Sequence, residues 1–247
     1  MFLYVANWKM NMPYNKVIHF CKLNYDGFLR IHNLPQKKVV LCPEFTSIKD
    51  LDTIFEKTYI NIGAQDCSKF AFGSYTGQVP AESLKNIGCN FCIVGHSERR
   101  KYCGDTSGQI AQKVYQLLEA EITPIVCVGE KKEEYDSGVA KDIIIAQLEP
   151  VFEVVRAAIK PKICIAYEPI WSIGSGKVPE KAYIEEIFRL ILDVSKKEAG
   201  NAEFKLLYGG SVDELTAERL RSLRCLNGFL IGGASLNFQK FEKIVNL

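Results

Sequence analysis

The amino-acid sequence predicts an α/β protein, a single (β/α)8 barrel domain that spans residues 1–247. Three observations lead to this prediction. Eight short apolar runs recur along the chain, stretches with helical spacing separate them, and the chain has 247 residues. Eight strand–helix units in about 250 residues match such a barrel in both number and length.

The eight apolar runs are predicted to be strands. Their near-continuous apolarity, without polar alternation, is typical of parallel strands that are buried on both faces. They lie at residues 2–7, 39–42, 60–65, 91–96, 124–130, 163–168, 205–210 and 228–233.

Helices are predicted between these strands, where apolar residues recur every three or four positions. They are predicted over residues 107–121, 180–197, 213–223 and 237–247, with two further helices within 131–159. Pro179 is predicted to stand in the first turn of the helix over 180–197. No linker rich in proline or serine divides the chain, which indicates one domain.

A doubly wound open sheet is the alternative architecture. Such sheets typically contain about five to seven strands and carry a glycine-rich phosphate turn after an early strand. The first predicted strand instead runs into Asn7, Trp8 and Lys9. The barrel is therefore the favoured fold.

Composition and charge restrict the class of protein. Lys and Arg total 31 against 29 for Asp and Glu, a net charge of +2, so the bulk charge indicates neither a nucleic-acid nor a membrane partner. Asn7 and Lys9 interrupt the apolar N-terminal stretch, which also lacks the basic region of a signal peptide. No apolar run is long enough to span a bilayer. We therefore expect a cytoplasmic protein.

Several of the nine cysteines lie on apolar runs and are predicted to be small buried hydrophobic residues rather than metal ligands, namely Cys42, Cys92, Cys127 and Cys164. Cys89 and Cys92 have the spacing of a redox pair or of half a zinc site. A zinc site needs further ligands, and no second close pair of Cys or His residues exists in the sequence. We expect neither a metal nor a cofactor.

Polar residues or glycines follow seven of the eight predicted strands. Barrel enzymes build their active sites at the carboxyl ends of the strands. Seven such ends therefore indicate a concave functional site. The residues are Asn7 with Lys9, Gln65, His96 with Glu98, Glu130, Glu168, Gly209 to Ser211, and Gly232 with Gly233.

Glu168 and His96 are the candidates for acid–base chemistry. Glu168 leaves a buried strand among apolar neighbours, and partial desolvation suits a carboxylate to act as a general base. His96 precedes a predicted helical turn, whose positive end favours a neutral imidazole that donates a hydrogen bond. The plainer interpretations are a solvated or ion-paired acid and a structural histidine.

Lys9 and two glycine clusters are the candidates for holding an anion. Lys9 could bind a negative charge or form a Schiff base, and its plainer interpretation is a surface lysine. Glycines let backbone N–H groups approach a phosphate, and barrels often build phosphate sites from the loops after their last two strands. With a base and a neutral electrophile, these groups suit proton abstraction beside a carbonyl of a small phosphorylated substrate.

Six sequence blocks resemble those of the triosephosphate isomerase family, in the same order and over essentially the whole chain. They are ANWKMN (6–11), VGHSERR (94–100), CVGE (127–130), AYEPIWSIGSGK (166–177), YGGSV (208–212) and GFLIGGASL (228–236). The resemblance implies interconversion of dihydroxyacetone phosphate and D-glyceraldehyde 3-phosphate without a cofactor.

The same resemblance implies a role for each candidate. Glu168 would move the proton between carbons, and His96 would polarise the carbonyl. Lys9, positioned by Glu98, would hold the negative charge of the substrate, and Asn7 would hydrogen-bond the enediolate oxygen. Backbone N–H groups would bind the phosphate at Gly174, Ser211, Gly232 and Gly233.

The resemblance also implies a lid and a partner subunit. Residues 172–177 would close over the intermediate and exclude water, with Tyr208 and Ser211 latching the closed lid. The family is usually a homodimer, in which the loop 65–78 would bring Thr76 towards the partner's site. Met10 would meet the partner's loop.

Two other functions remain open at this stage. The first is a phosphate-binding barrel aldolase that uses Lys9 as a Schiff base, which borohydride trapping would detect. The second is a barrel that binds without catalysis. Every residue that the isomerase reaction needs is present in the sequence, and this favours the isomerase.

Overall fold

Eight parallel strands close into one barrel in the order in which they occur in the chain, so that β1 pairs with both β2 and β8. This computed structural model describes residues 1–174 and 178–247, and the tip of the predicted lid, residues 175–177, lies outside the described residues. The strands are β1 Phe2–Asn7, β2 Lys37–Cys42, β3 Asn61–Ala64, β4 Cys89–Val94, β5 Thr123–Val128, β6 Lys162–Tyr167, β7 Glu203–Tyr208 and β8 Gly228–Ile231. The predicted (β/α)8 barrel is confirmed.

Helices surround the barrel and connect its strands. Within the described residues they are α1 Tyr14–Leu23, α2 Tyr25–His32, α3 Ile48–Phe55, α4 Ala81–Asn86, α5 Ser97–Tyr102, α6 Ser107–Glu119, α7 Lys132–Asp136, α8 Ala140–Ala157, α9 Lys181–Ala199, α10 Glu214–Leu220 and α11 Phe238–Asn246. The two helices predicted within 131–159 are α7 and α8. No helix of the described chain is both long and apolar enough to cross a membrane.

The prediction for Pro179 is wrong. Helix α9 begins at Lys181 with Glu180 as its N-cap, so Pro179 lies two residues before the helix. The carbonyl of Pro179 accepts a hydrogen bond from the Arg219 guanidinium at 3.1 Å. Glu180 has φ of −59° and ψ of 142°, so the chain enters α9 without a helical turn at this position.

Two apolar layers explain why the strands are apolar throughout. Alternate residues of a strand point to opposite faces, so Tyr4 and Ala6 pack against the helices while Leu3 and Val5 fill the barrel. The inner layer also contains Val40, Cys42, Phe91, Ile93, Ile125, Cys127, Cys164, Ala166, Leu207 and Leu230. The barrel is therefore a packed core, and the room for a site lies at its ends.

Hydrogen bonds to side chains fix where several helices begin. Thr106 accepts from the N–H of Gln109 at 3.3 Å, and the Gln109 side chain accepts from the N–H of Thr106 at 3.0 Å. This capping box starts α6. Asp213 and Asn237 cap α10 and α11 in the same sense, each accepting from the N–H three residues later.

Candidate active site

A cavity of about 270 Å³ opens at the carboxyl ends of the strands. All the residues predicted to be catalytic or to bind substrate line it, namely Asn7, Lys9, His96, Glu168, Gly174, Ser211, Gly232 and Gly233. Most of these residues lie one or more positions beyond the last strand residue, because β4, β6, β7 and β8 end one or two residues earlier than predicted. The strands position the loops, and most residues of the site lie on those loops.

Glu168 is buried directly after β6, with 2% of its surface exposed. Its backbone lies so close to Gly129 that a Cβ at Gly129 would stand 1.7 Å from the Glu168 carbonyl oxygen. A Cβ at Gly209 would stand 3.0 Å from the Glu168 Cγ. These two glycines leave the space that Glu168 occupies, and the contact at Gly129 could not be predicted from the local sequence pattern.

The carboxylate of Glu168 has one oxygen bound and one available. Oε2 accepts a hydrogen bond from the Ser97 N–H at 3.2 Å. Oε1 is buried and forms no hydrogen bond within the described residues, although it lies 3.2 Å from His96 Nε2. An unsatisfied buried carboxylate oxygen beside a cavity is suited to accept a proton from a bound molecule.

The side chain of His96 is held in one tautomer by the start of α5. His96 is the N-cap of that helix, and its Nδ1 accepts from the Glu98 N–H at 3.2 Å. An Nδ1 that accepts a hydrogen bond carries a lone pair, so the ring proton of the neutral imidazole is on Nε2. Nε2 is the atom that faces the cavity and Glu168.

Lys9 stands in a left-handed backbone conformation, with φ of 50°. This costs a non-glycine residue roughly 1–3 kcal/mol. Two side chains hold it there. Asn7 Oδ1 accepts from the Lys9 N–H at 3.1 Å, and Gln65 Nε2 donates to the carbonyls of Lys9 and Cys42 at 2.9 and 3.0 Å. The sequence predicted Gln65 at the rim without a role, and its contact with Lys9 supplies one.

The ammonium of Lys9 is oriented by a carboxylate from a distant part of the chain. Lys9 Nζ donates to Glu98 Oε1 at 2.6 Å, and Glu98 lies in the first turn of α5, two residues after His96. The same short segment therefore orients both the imidazole and the ammonium. The structure brings Asn7, Lys9, His96 and Glu168 together around one cavity.

Part of the cavity wall consists of backbone. The N–H groups of Ser211, Gly232 and Gly233 have no hydrogen-bond acceptor among the described residues. A Cβ at Gly233 would meet no atom within 4 Å, so the space in front of this backbone is open. Free N–H groups facing open space bind anions such as phosphate.

The first part of the predicted lid contacts this wall. Ser211 Oγ donates to the Ser172 carbonyl at 2.7 Å, and Gly174 is left-handed with φ of 69°. The buried Tyr208 hydroxyl lies beside Gly210, and burial raises the pKa of Tyr208 to about 12. Tyr208 therefore stays a neutral hydroxyl across the physiological range.

Glu130 joins the base of the lid to β5, a role that the sequence did not reveal. Its Oε1 accepts from Trp171 Nε1 at 2.8 Å, from the Tyr167 hydroxyl at 3.0 Å and from the Tyr183 hydroxyl at 3.4 Å. Burial raises the pKa of Glu130, although these three donors act in the opposite direction. One carboxylate thus connects β6, α9 and the segment that enters the lid.

Thr76 and Met10 lie outside the cavity. Residues 71–78 are exposed, and Met10 is 91% exposed. Phe70 and Tyr75 stack within this loop with ring centroids 3.8 Å apart, which gives its tip a defined shape. The structure therefore does not bring Thr76 to the site of its own chain.

The described residues contain no group of three or more His, Cys, Asp or Glu side chains that could hold a metal ion. The nine cysteines are free, and Cys89 and Cys92 are both buried. Catalysis without a metal or cofactor stays a prediction.

A carboxylate, an imidazole, an ammonium and free backbone N–H groups line this one cavity, and together they define a barrel isomerase of a small phosphorylated substrate. The model of the family described as Triosephosphate isomerase matches residues 2–247. The chain belongs to the triosephosphate isomerase family. It interconverts dihydroxyacetone phosphate and D-glyceraldehyde 3-phosphate, a reaction of glycolysis and gluconeogenesis.

Similar proteins cover the chain from end to end. The triosephosphate isomerase of Wolbachia sp. subsp. Brugia malayi (strain TRS) is 40% identical over 245 residues, which are 99% of this chain and 96% of the relative. That of Aquifex aeolicus (strain VF5) is 37% identical over 98% of both chains. That of Thermus thermophilus is 36% identical over 99% of this chain and 98% of the relative.

Proposed function

We propose that Glu168 is the base that moves the proton between the two carbons of the triose phosphate. The observation that carries this proposal is the free Oε1 of Glu168, which is buried at the cavity and 3.2 Å from His96 Nε2. A base without a donor of its own needs no bond broken before it accepts the substrate proton.

His96 acts as the electrophile. Its Nε2–H points into the cavity because the Glu98 N–H occupies Nδ1. A neutral imidazole donates a hydrogen bond to the substrate carbonyl and later returns a proton between the two oxygens. Asn7, held on the Lys9 N–H, hydrogen-bonds the same enediolate.

Lys9 supplies the positive charge, and Glu98 positions it. An ammonium bound to a carboxylate at 2.6 Å acts as a cation rather than as a free amine nucleophile, which is the opposite of what Schiff-base chemistry needs. Borohydride trapping with substrate should therefore leave Lys9 unmodified.

The phosphate is bound by backbone N–H groups of Gly174, Ser211, Gly232 and Gly233. Residues 172–177 close over it, and Tyr208 and Ser211 latch the closed form. The support is the open space before Gly233 and the present contact between Ser211 and Ser172. Closure would exclude water from the enediolate.

Replacing Glu168 by Gln tests the assignment of the base. We expect kcat/KM for D-glyceraldehyde 3-phosphate to fall by at least about 10²–10⁴-fold, because the amide cannot accept the proton. Glu133→Gln, which neutralises an exposed carboxylate on α7, is the matched control and should retain full activity. Turnover in Glu168→Gln close to that of the control would show that another group is the base.

The protein forms a homodimer through the loop 65–78 and Met10, with Thr76 near the partner's Asn7 and Lys9. The support is apolar surface on these segments, since Met10, Phe72 and Tyr75 are 91%, 65% and 41% exposed. Exposed apolar patches of this kind mark interfaces. Sedimentation equilibrium should give twice the mass of the chain, and a monomeric mass at micromolar concentration would rule the dimer out.

A cytoplasmic location follows from the proposed role in glycolysis. Fractionation of the source cells, followed by the isomerase assay, tests it. Activity confined to a membrane or secreted fraction would contradict this location.

A further inference from the structure

The end of the barrel opposite the active site holds a second cavity, of about 170 Å³. Its floor is apolar and includes Leu3, Phe91 and Cys164, which belong to the inner layer of the barrel. Its wall carries the side chains of Lys38, Lys162 and Lys205, together with Glu203. We call this cavity the N-terminal mouth.

The three lysines come from strands on different sides of the barrel. Lys38 is on β2, while Lys162 and Lys205 are on the neighbouring strands β6 and β7. Strands β2 and β6 are four positions apart in a closed ring of eight, so they face each other across the barrel. Three lysines that are far apart in the chain therefore surround one opening of the barrel.

None of these lysines has a carboxylate partner among the described residues. Lys205 donates to the Met1 carbonyl at 3.3 Å, and the Lys38 ammonium lies 5.5 Å from the centroid of the Phe91 ring. Glu203 is exposed and forms no ion pair in the described part of the chain. The side chains of the mouth carry three positive charges and one negative charge, a net side-chain charge of +2.

The lysines also repel one another. Burial lowers the pKa of Lys38, and the charges of Lys205 and Lys162 lower it further. Like charges held close together at a partly buried site favour the binding of a counter-ion.

We propose that the N-terminal mouth binds a small tetrahedral oxyanion, either inorganic phosphate or the phosphoryl group of a phosphate monoester. A dianion would neutralise the net charge of the mouth and accept hydrogen bonds from three ammonium groups. The cavity has room for such an ion with bridging waters, since a water occupies about 30 Å³. The mouth shares no lining residue with the catalytic cavity.

Phosphate also competes for the catalytic cavity, so the experiment must measure both sites. We would titrate the protein with inorganic phosphate at constant ionic strength and record the melting temperature. In parallel, phosphate inhibition of the isomerase reaction gives the affinity of the catalytic cavity. Lys38→Gln and Lys162→Gln each remove one charge from the mouth, and Lys16→Gln removes one from the exposed face of α1 as the matched control.

In the parent protein, phosphate should raise the melting temperature by more than its binding to the catalytic cavity alone would, as calculated from the inhibition constant. This surplus is the excess assigned to the N-terminal mouth. In Lys38→Gln and Lys162→Gln this excess should require about tenfold more phosphate, because each variant loses one charge-assisted hydrogen bond. The inhibition constant should stay unchanged in both variants, and Lys16→Gln should behave as the parent.

Two results would overturn the proposal. One is a phosphate-dependent rise that the inhibition constant explains in full. The other is an equal excess in the parent, Lys162→Gln and Lys16→Gln. Lys162 is exposed, so Lys162→Gln decides the question even if Lys38→Gln fails to fold. A repeat with phenyl phosphate identifies the source, because an excess with phosphate alone assigns the free ion and an excess with both assigns the phosphoryl group.

Discussion

The two ends of the barrel differ in whether their positively charged side chains are paired with carboxylates. At the carboxyl end, Lys9 is bound to Glu98 at 2.6 Å and Arg99 to Asp105 at 2.9 Å, so each cation is oriented by a carboxylate. At the N-terminal mouth, Lys38, Lys162 and Lys205 line a cavity and have no carboxylate partners among the described residues. Oriented charge suits catalysis, which needs fixed geometry. Unpaired charge suits only the binding of a counter-ion.

The backbone is equally tight at both ends. A Cβ at Gly129 would stand 1.7 Å from the Glu168 carbonyl oxygen, and a Cβ at Gly228 would stand 2.1 Å from the Leu3 carbonyl oxygen. The first contact is at the catalytic rim and the second is at the N-terminal end. The same substitution at the two glycines can therefore separate the effect of crowding on stability from its effect on catalysis.

Among the variants that test this comparison, Gly129→Ala should show the largest fall in kcat. The added methyl must push the Glu168 backbone away, and a displacement of about 1 Å at a catalytic group can lower kcat by about 10²-fold. Crowding of this kind also lowers the free energy of unfolding by about 1–3 kcal/mol. We would measure kcat and urea unfolding for both alanine variants.

Gly228→Ala is the control for that experiment. It should lose a similar part of the free energy of unfolding and keep its kcat, because Leu3 lines the N-terminal mouth and not the catalytic cavity. An equal fall in kcat in the two variants would mean that the rim is not more sensitive to displacement than the rest of the barrel.

Glu98→Gln should have an intermediate effect. The amide keeps the shape of the side chain but weakens its bond to Lys9, and a hydrogen bond between charged groups contributes about 1.5–3 kcal/mol. We expect kcat/KM to fall by about tenfold, mostly through KM, since Lys9 holds the substrate charge. Glu203→Gln at the opposite end is the matched control and should change neither constant. Identical kinetics in the two variants would remove Glu98 from its positioning role.

The sequence predicted the features that depend on local pattern. Continuous apolar runs predicted all eight strands, and polar residues after those runs predicted the side of the barrel on which Asn7, His96 and Glu168 meet. Boundaries were less accurate. Gly209 and Gly232 follow their strands instead of ending them, because the pairing of β7 and β8 stops earlier.

Contacts between distant residues could not be predicted from pattern. Glu98 and Lys9 are 89 residues apart, and only the resemblance to a known family related them. Tyr183 reaches Glu130 across 53 residues because α9 packs against β7 and places Phe188 against Tyr167 of β6, which no local signal reveals. The N-terminal mouth could not be predicted for the same reason, since Lys38, Lys162 and Lys205 come together only when the barrel closes.

Glu130→Gln should have the smallest effect, seen in the pH dependence of stability. Burial raises the pKa of Glu130 above its ordinary value of 4.5, so the folded protein binds this proton more tightly than the unfolded chain. The stability that Glu130 contributes is therefore complete below pH 4.5 and is lost as the pH rises through the folded-state pKa. Gln does not titrate.

The difference in free energy of unfolding, parent minus Glu130→Gln, should consequently decrease between pH 4 and pH 8, as urea unfolding at several pH values would show. An increase over that range would mean that the three donors from Trp171, Tyr167 and Tyr183 outweigh burial. Glu203→Gln corrects for the loss of one carboxylate at the other end of the barrel. A decrease found only in Glu130→Gln would show that buried charge at the catalytic rim is held at a cost to stability, which the hydrogen bonds around it only partly offset.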